Sequence, residues 1–164
     1  MNGLLNVLIV EDSEDDARIL LRALRRGGYE PVHVRVDTGR DMAGALDQER
    51  WDLIISDYSM PQFSGLAALQ LVKARGLDIP FIIVSGKIGE DDAVAAMKAG
   101  AQDYLMKRDL SRLIPAIERE LREFRIHAAK REAERALREK EAQLTAIMSN
   151  LPGVVFQLRR TQPR

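Results

Sequence analysis

Val7-Leu8-Ile9-Val10-Glu11-Asp12 decides the fold: a continuous apolar run that breaks abruptly into two carboxylates. A run of Val, Ile and Leu without polar alternation is how a parallel strand covered on both faces reads. The same signature recurs along the chain. The predicted strands are Asn6 to Val10, Val32 to Val36, Leu53 to Ser56, Phe81 to Val84 and Asp103 to Met106. Helical patterns lie between them. Ala17, Leu20, Leu21 and Leu24 line one face of a first helix ended by Gly27-Gly28. Met42, Ala45 and Leu46 mark a second, and Leu66, Leu69 and Val72 a third that stops near Gly76. Glu90, Asp91 and Asp92 open a fourth ended by Gly100, and a fifth starts near Leu110. Repeated strand–helix units predict an α/β, doubly wound five-stranded parallel sheet with helices on both faces.

On such a sheet, ligands sit outside the carboxyl ends of the strands. The residues just after each strand are therefore the candidates for chemistry. Strand one ends in Glu11-Asp12 and strand three in Asp57, so three carboxylates converge. Like charges crowded together repel unless a cation compensates them, and an all-oxygen set suits Mg²⁺. Strand four ends in Ser85-Gly86 and strand five in Lys107. Singly, each piece is ordinary. Acidic residues after a strand cap helices, an Asp before a turn is turn chemistry, and a terminal lysine is a solvated charge. Together, at the active edge of one sheet, they describe a phosphoryl site. Asp57 is the nucleophile that forms an acyl phosphate, while Ser85 and Lys107 contact the phosphoryl oxygens.

Residues 5 to about 125 resemble bacterial response-regulator receiver domains. The resemblance rests on four segments: Val7 to Asp12; Asp57-Tyr58-Ser59-Met60-Pro61 with Gly65; Phe81 to Gly86; and Lys98 to Lys107. It implies a flavodoxin-like strand order, 2-1-3-4-5. It also implies Mg²⁺ held by Glu11, Asp12, Asp57 and the backbone carbonyl of Ser59. Phosphoryl transfer to Asp57 would come from a histidine kinase, a phosphotransfer protein or a small donor such as acetyl phosphate. Tyr104 falls at the switch aromatic that turns inward when Ser85 swings toward the phosphate; on spacing alone it is a half-buried strand aromatic. The implied protein is not an enzyme beyond its own phosphorylation and dephosphorylation. Three positions depart from the pattern. Glu11 stands where Asp is commoner. Arg108 follows Lys107 where proline is usual, so a trans bond and a reshaped loop are expected there. Lys87 lies two residues past Ser85, either beside the phosphoryl entrance or simply solvated.

From about Glu118, charges of both signs alternate with no Gly or Pro before Pro152, which predicts one long exposed helix. Ile114, Ile117, Leu121 and Phe124 form a seam, resumed by Leu137, Leu144, Ile147 and Leu151 at heptad spacing. The small residues between Ala128 and Ala136 interrupt it as a stutter. The expected organisation is a receiver over 1–125 and a coiled-coil-like linker over 126–150. Residues 151–164 then begin a further domain or form a disordered tail. The stretch Leu151-Pro152-Gly153-Val154-Val155-Phe156 resembles the lead-in to a PAS domain, so the chain is expected to continue. Homodimerisation is expected through the long helix, through the face of the fourth helix, fifth strand and fifth helix, or through both.

Composition sets the remaining limits. Formal net charge is +0 and cysteine is absent, which removes thiolate chemistry and gives no global basic field for nucleic acid. No signal peptide or membrane-length apolar run is visible, so a cytoplasmic protein acting away from membranes is expected. A dinucleotide enzyme would need glycines where Glu11 to Asp16 stand. A haloacid-dehalogenase-type phosphatase would need a second Asp at Ser59. The alternative that survives is a receiver-fold dimerisation scaffold with weak or no phosphorylation.

Overall fold

The computed structural model describes residues 3–87 and 89–151. Five strands, β1 (Gly3–Val10), β2 (Tyr29–Val36), β3 (Leu53–Asp57), β4 (Phe81–Ser85) and β5 (Asp103–Met106), form one parallel sheet in the order β2-β1-β3-β4-β5. Helices α1 (Glu14–Arg26), α2 (Gly39–Gln48), α3 (Gly65–Ala74) and α4 (Glu90–Ala99) alternate with them, and α5 (Leu113–Ser149) follows β5. This is the doubly wound, flavodoxin-like order expected from the sequence.

Every residue of β3 and β4 is buried, so both faces are apolar up to the polar residues at the carboxyl ends, Ser56, Asp57 and Ser85. The edge strand β2 is buried only at its ends, Tyr29 and Val36. It begins at Tyr29 rather than Val32, and β1 begins at Gly3 rather than Asn6. The early residues of both strands include exposed positions, so no apolar run announces them. The start of α5 is also later than expected, at Leu113, because Met106 to Ser111 make a turn first. There Asp109 N–H donates to the Met106 carbonyl at 3.0 Å and Ser111 N–H to the Asp109 carboxylate at 3.1 Å.

Side chains alternate across a strand, and here that parity divides the molecule into two cores. On one face Val7, Ile9, Leu53, Ile55, Ile82, Val84 and Leu105 pack under α1 and the first turns of α5. On the other Leu8, Val10, Ile54, Phe81 and Ile83 pack under α2, α3 and α4. Ser13, Thr38 and Ser64 cap α1, α2 and α3 through their hydroxyls. The α4 N-terminus has Gly89 and no side-chain cap, but carries Glu90, Asp91 and Asp92 in its first turn, where negative charge suits the helix dipole.

The chain divides into two compact units at Phe124. Within the first, Leu113, Ala116, Ile117 and Leu121 of α5 are buried. Within the second, Leu137, Leu144, Ile147 and Leu151 are exposed. The PAS-like reading of 152–158 lies outside the described residues. Among the described residues no helix is long and apolar enough to cross a membrane.

Burial sets the expected cost of core substitutions. Ile55→Ala, at a side chain with no exposure, is expected to lower the unfolding free energy by roughly 2–5 kcal/mol. Leu4→Ala, on the same sheet but 65% exposed, is expected to change it by less than about 1 kcal/mol. Urea denaturation of both variants checks the contrast.

Candidate functional site at the carboxyl edge of the sheet

Strand parity also sorts the site. Asp57 continues the series Leu53, Ile55; Glu11 continues Val7, Ile9; and Lys107 continues Leu105. All three therefore emerge on the α1 side. Ser85, Tyr58 and Tyr104 have the opposite parity and emerge on the α4 side. The backbone holds these exits in register. Glu11 N–H donates to the Val36 carbonyl at 2.9 Å and Lys107 N–H to the Ser85 carbonyl at 2.8 Å, so the ladder continues past the strand ends.

On the α1 side one ammonium collects several carboxylates. Lys107 Nζ lies 2.9 Å from Asp57 Oδ2, 2.7 Å from Glu11 Oε2 and 2.6 Å from Asp16 Oδ2. At an effective dielectric of 20, unit charges 4 Å apart interact by about 4 kcal/mol. One ammonium therefore offsets a repulsion of the same order between each pair of these acids. Asp57 Oδ1 accepts the Ser59 N–H at 3.3 Å, which brings the Ser59 backbone to the site. Asp12 is exposed beside them.

Burial and charge pull the ionisable groups in opposite directions. Burial pushes the Glu11 carboxyl up, although the Lys107 ammonium and the Ser13 N–H oppose it. Burial alone would push the Lys107 ammonium down. Its hydrogen bonds to Asp16 and Asp57 and its close ion pair with Glu11 outweigh that and hold it well above the ordinary lysine range, so it stays charged.

An oxygen-seeking cation fits this cluster. Carboxylate oxygens of Glu11, Asp12 and Asp57 lie within 4.8 Å of one another. Glu11 Oε2 is buried and, despite its close ion pair with Lys107, receives no directed hydrogen bond. An all-oxygen donor set with an under-satisfied buried oxygen suits Mg²⁺ or a similar hard ion.

On the α4 side the arrangement is different. Ser85 Oγ donates to the Lys87 carbonyl at 3.0 Å and accepts the Lys87 N–H at 3.3 Å. The hydroxyl is thus committed to the loop before α4 rather than to Asp57. Tyr104 is half-buried, and its hydroxyl donates to the same Lys87 carbonyl at 3.4 Å. Lys87 enters the site through its backbone, a role its side chain did not suggest. The Tyr58 ring meets Tyr104 edge-on at 5.9 Å, and its hydroxyl donates to Asp92 Oδ1 at 2.9 Å. Burial, then the Asp92 carboxylate, push the Tyr58 phenol up.

Three contributors escaped the sequence reading. Asp16 sits in the first turn of α1, where an acid is unremarkable. Arg35, paired with Ile9 in the β1–β2 register, donates from its guanidinium to the Glu11 carbonyl at 2.8 Å and steadies the acidic loop. The Tyr58–Asp92 bond spans 34 residues. Only the strand parity of Tyr58 hinted that it faces α4. Gly65 is required by close approach: a Cβ there would lie 2.6 Å from the Asp57 carbonyl oxygen and 3.0 Å from Tyr58 Cα. The Lys107–Arg108 peptide is trans, as expected without proline.

Residues 7–118 match the response regulator receiver domain family. The chain belongs to that family. Over 101 residues it is 37% identical to the transcriptional regulatory protein PrrA of Mycobacterium tuberculosis; the match takes in 62% of this chain and 42% of PrrA. The chain therefore spans less than half the length of that relative. The signal receiver domain of a signal transduction histidine kinase from Syntrophus aciditrophicus is 34% identical. It superposes with a TM-score of 0.59 over 71% of this chain and 89% of its own. The Mn²⁺-bound form of response regulator Rcp1 is 26% identical, with a TM-score of 0.57 over 69% of this receiver chain and 88% of its own.

The buried acid makes a pH-dependent prediction. The Glu11 carboxyl is held above the ordinary value of 4.5, so the folded state keeps that proton to higher pH than the unfolded chain. Its contribution to stability is full below the ordinary value and is lost as pH rises through the folded one. In metal-free buffer, Glu11→Gln is therefore expected to unfold at higher urea than wild type near neutral pH. The gap should close as the pH falls below 4.5.

Proposed function

We propose that this receiver is the phosphoacceptor of a two-component relay, with Asp57 taking the phosphoryl group. The observation that carries this reading is the Lys107 ammonium 2.9 Å from Asp57 Oδ2, beside the Glu11, Asp12 and Asp57 oxygens. A nucleophile, a cation site and a point charge meet at one spot.

Glu11, Asp12, Asp57 and the Ser59 backbone carbonyl would hold Mg²⁺. Held there, the ion would supply positive charge to offset the acids and the phosphoryl oxygens. The Mn²⁺-bound form of Rcp1, a related receiver, supports a divalent ion in this family. The chain's own residues do the rest. A carboxylate oxygen of Asp57 attacks phosphorus in line. The new O–P bond forms as the bond to the donor's imidazole nitrogen, or to acetate oxygen, breaks, and the leaving group carries away the electron pair. A carboxylate nucleophile has no proton to give up on attack, so no general base is required. Lys107 pairs with one phosphoryl oxygen. Ser85 donates to another once it leaves the Lys87 carbonyl.

That exchange connects the chemistry to an output. When Ser85 turns away, the Lys87 carbonyl loses its main donor, and Tyr104, which shares that acceptor, is released to move inward. The bias then reaches α4, β5 and α5. α5 continues as a helix to Ser149, so residues 126–150 serve as a linker that carries the change to an output domain through dimer packing. A histidine kinase or phosphotransfer protein is the donor, the homodimer is the working form, and the cytoplasm is its place.

The test is intact-mass analysis after incubation with acetyl phosphate and Mg²⁺. Wild type is expected to gain one phosphoryl group and Asp57→Asn none. No gain in wild type, with transfer from a phosphorylated histidine donor also absent, favours the dimerisation scaffold instead.

A further inference from the structure

Lys107 has a partner that phosphoryl chemistry does not use. Asp16, the third residue of α1, meets it across 91 positions of sequence at 2.6 Å. The local sequence explains how that carboxylate is free to do so. Ser13-Glu14-Asp15-Asp16 has the form of a capping box, in which the acid at the third helical position accepts the N–H of the cap residue. Half of the box forms: Ser13 Oγ accepts the Asp16 N–H at 3.2 Å. The other half does not. The Ser13 N–H donates instead to Glu11 Oε1 at 3.1 Å. Glu11, longer than the commoner Asp, does the capping that Asp16 would have done. Asp16, with its backbone fixed in the first turn of α1, turns its carboxylate to Lys107.

We infer that Asp16 is a positioning residue for Lys107, holding the ammonium at the phosphoryl site when Asp57 and Glu11 are engaged elsewhere. The inference rests on the reading of Asp57 as phosphoacceptor. Glu11 and Asp57 belong to the oxygen cluster suited to a cation; Asp16 does not. Once that cluster and the phosphoryl group have claimed their oxygens, Asp16 is the partner of Lys107 that remains. A lysine is a flexible stem bearing three donors. Anchoring one donor leaves the others directed at the incoming group, with less freedom to lose on contact.

The test is a double-mutant cycle on beryllofluoride binding at saturating Mg²⁺, read by ¹⁹F NMR. Asp16→Asn is expected to weaken binding about three- to tenfold, and to weaken it no further once Lys107→Met is present. Asp16→Glu, which keeps the charge, is expected to restore most of the loss. Asp15→Asn removes an equal charge from a side chain 87% exposed and paired only with Arg18 among the described contacts. It is expected to leave affinity unchanged. Equal weakening in both Lys107 backgrounds, or tighter binding in Asp16→Asn, overturns the inference while wild-type binding keeps the phosphoacceptor reading intact. A wild type that binds no beryllofluoride in an Asp57-dependent way brings down both.

Discussion

The packing of acids against a single ammonium at the sheet edge is the constraint on which this molecule turns. Glu11 and Asp57 are nearly inaccessible, Asp16 is half-buried, and all three close on Lys107. Acids brought this near one another would not stay ionised without a cation. In the protein alone that cation is Lys107, and a divalent ion is the natural competitor for the same oxygens. The site is thus assembled in a state of partial compensation. Glu11 feels it most, buried and short of a directed hydrogen bond at one oxygen.

The parity of the strands keeps this electrostatic centre apart from the hydroxyl and ring network. Glu11, Asp57 and Lys107 face α1. Ser85, Tyr58 and Tyr104 face α4 and share two anchors, the Lys87 carbonyl and Asp92. Asp57 and Tyr58 are adjacent in sequence yet serve opposite faces, so a change at one is one residue from the other. Gly65 permits this, because its missing side chain lets α3 begin directly against the Asp57–Tyr58 backbone. In the proposed role, this adjacency would link the chemistry at Asp57 to the α4 side without any large rearrangement of the sheet.

Much of this was legible in the residues. β3 and β4 are buried throughout and open with unbroken apolar runs, whose ends located Asp57 and Ser85, while Lys107 closes the shorter, half-buried β5. The starts of β1 and β2 were not legible, because strands exposed on one side carry residues that propensity assigns to loops. Nor was the role of Asp16. In sequence it is a helix-starting acid like Glu14 and Asp15, and only the fold brings Lys107 to it. Arg35 and the Tyr58–Asp92 bond were hidden for the same reason: the partner is set by register and helix placement, which no local window contains. Ser85 was found but its present partner was not, since hydrogen bonding to the following loop follows from backbone geometry rather than residue type.

The most direct test of this electrostatic account is the stability of Lys107→Met with and without Mg²⁺, measured by urea denaturation beside wild type. If Lys107 is the compensating charge of the cluster, the metal-free variant should be less stable by about 3 kcal/mol, the scale of breaking a buried ion pair. Mg²⁺ should then stabilise the variant more than it stabilises wild type. A metal-free variant as stable as wild type, or a cluster to which Mg²⁺ adds no stability in either protein, would contradict it.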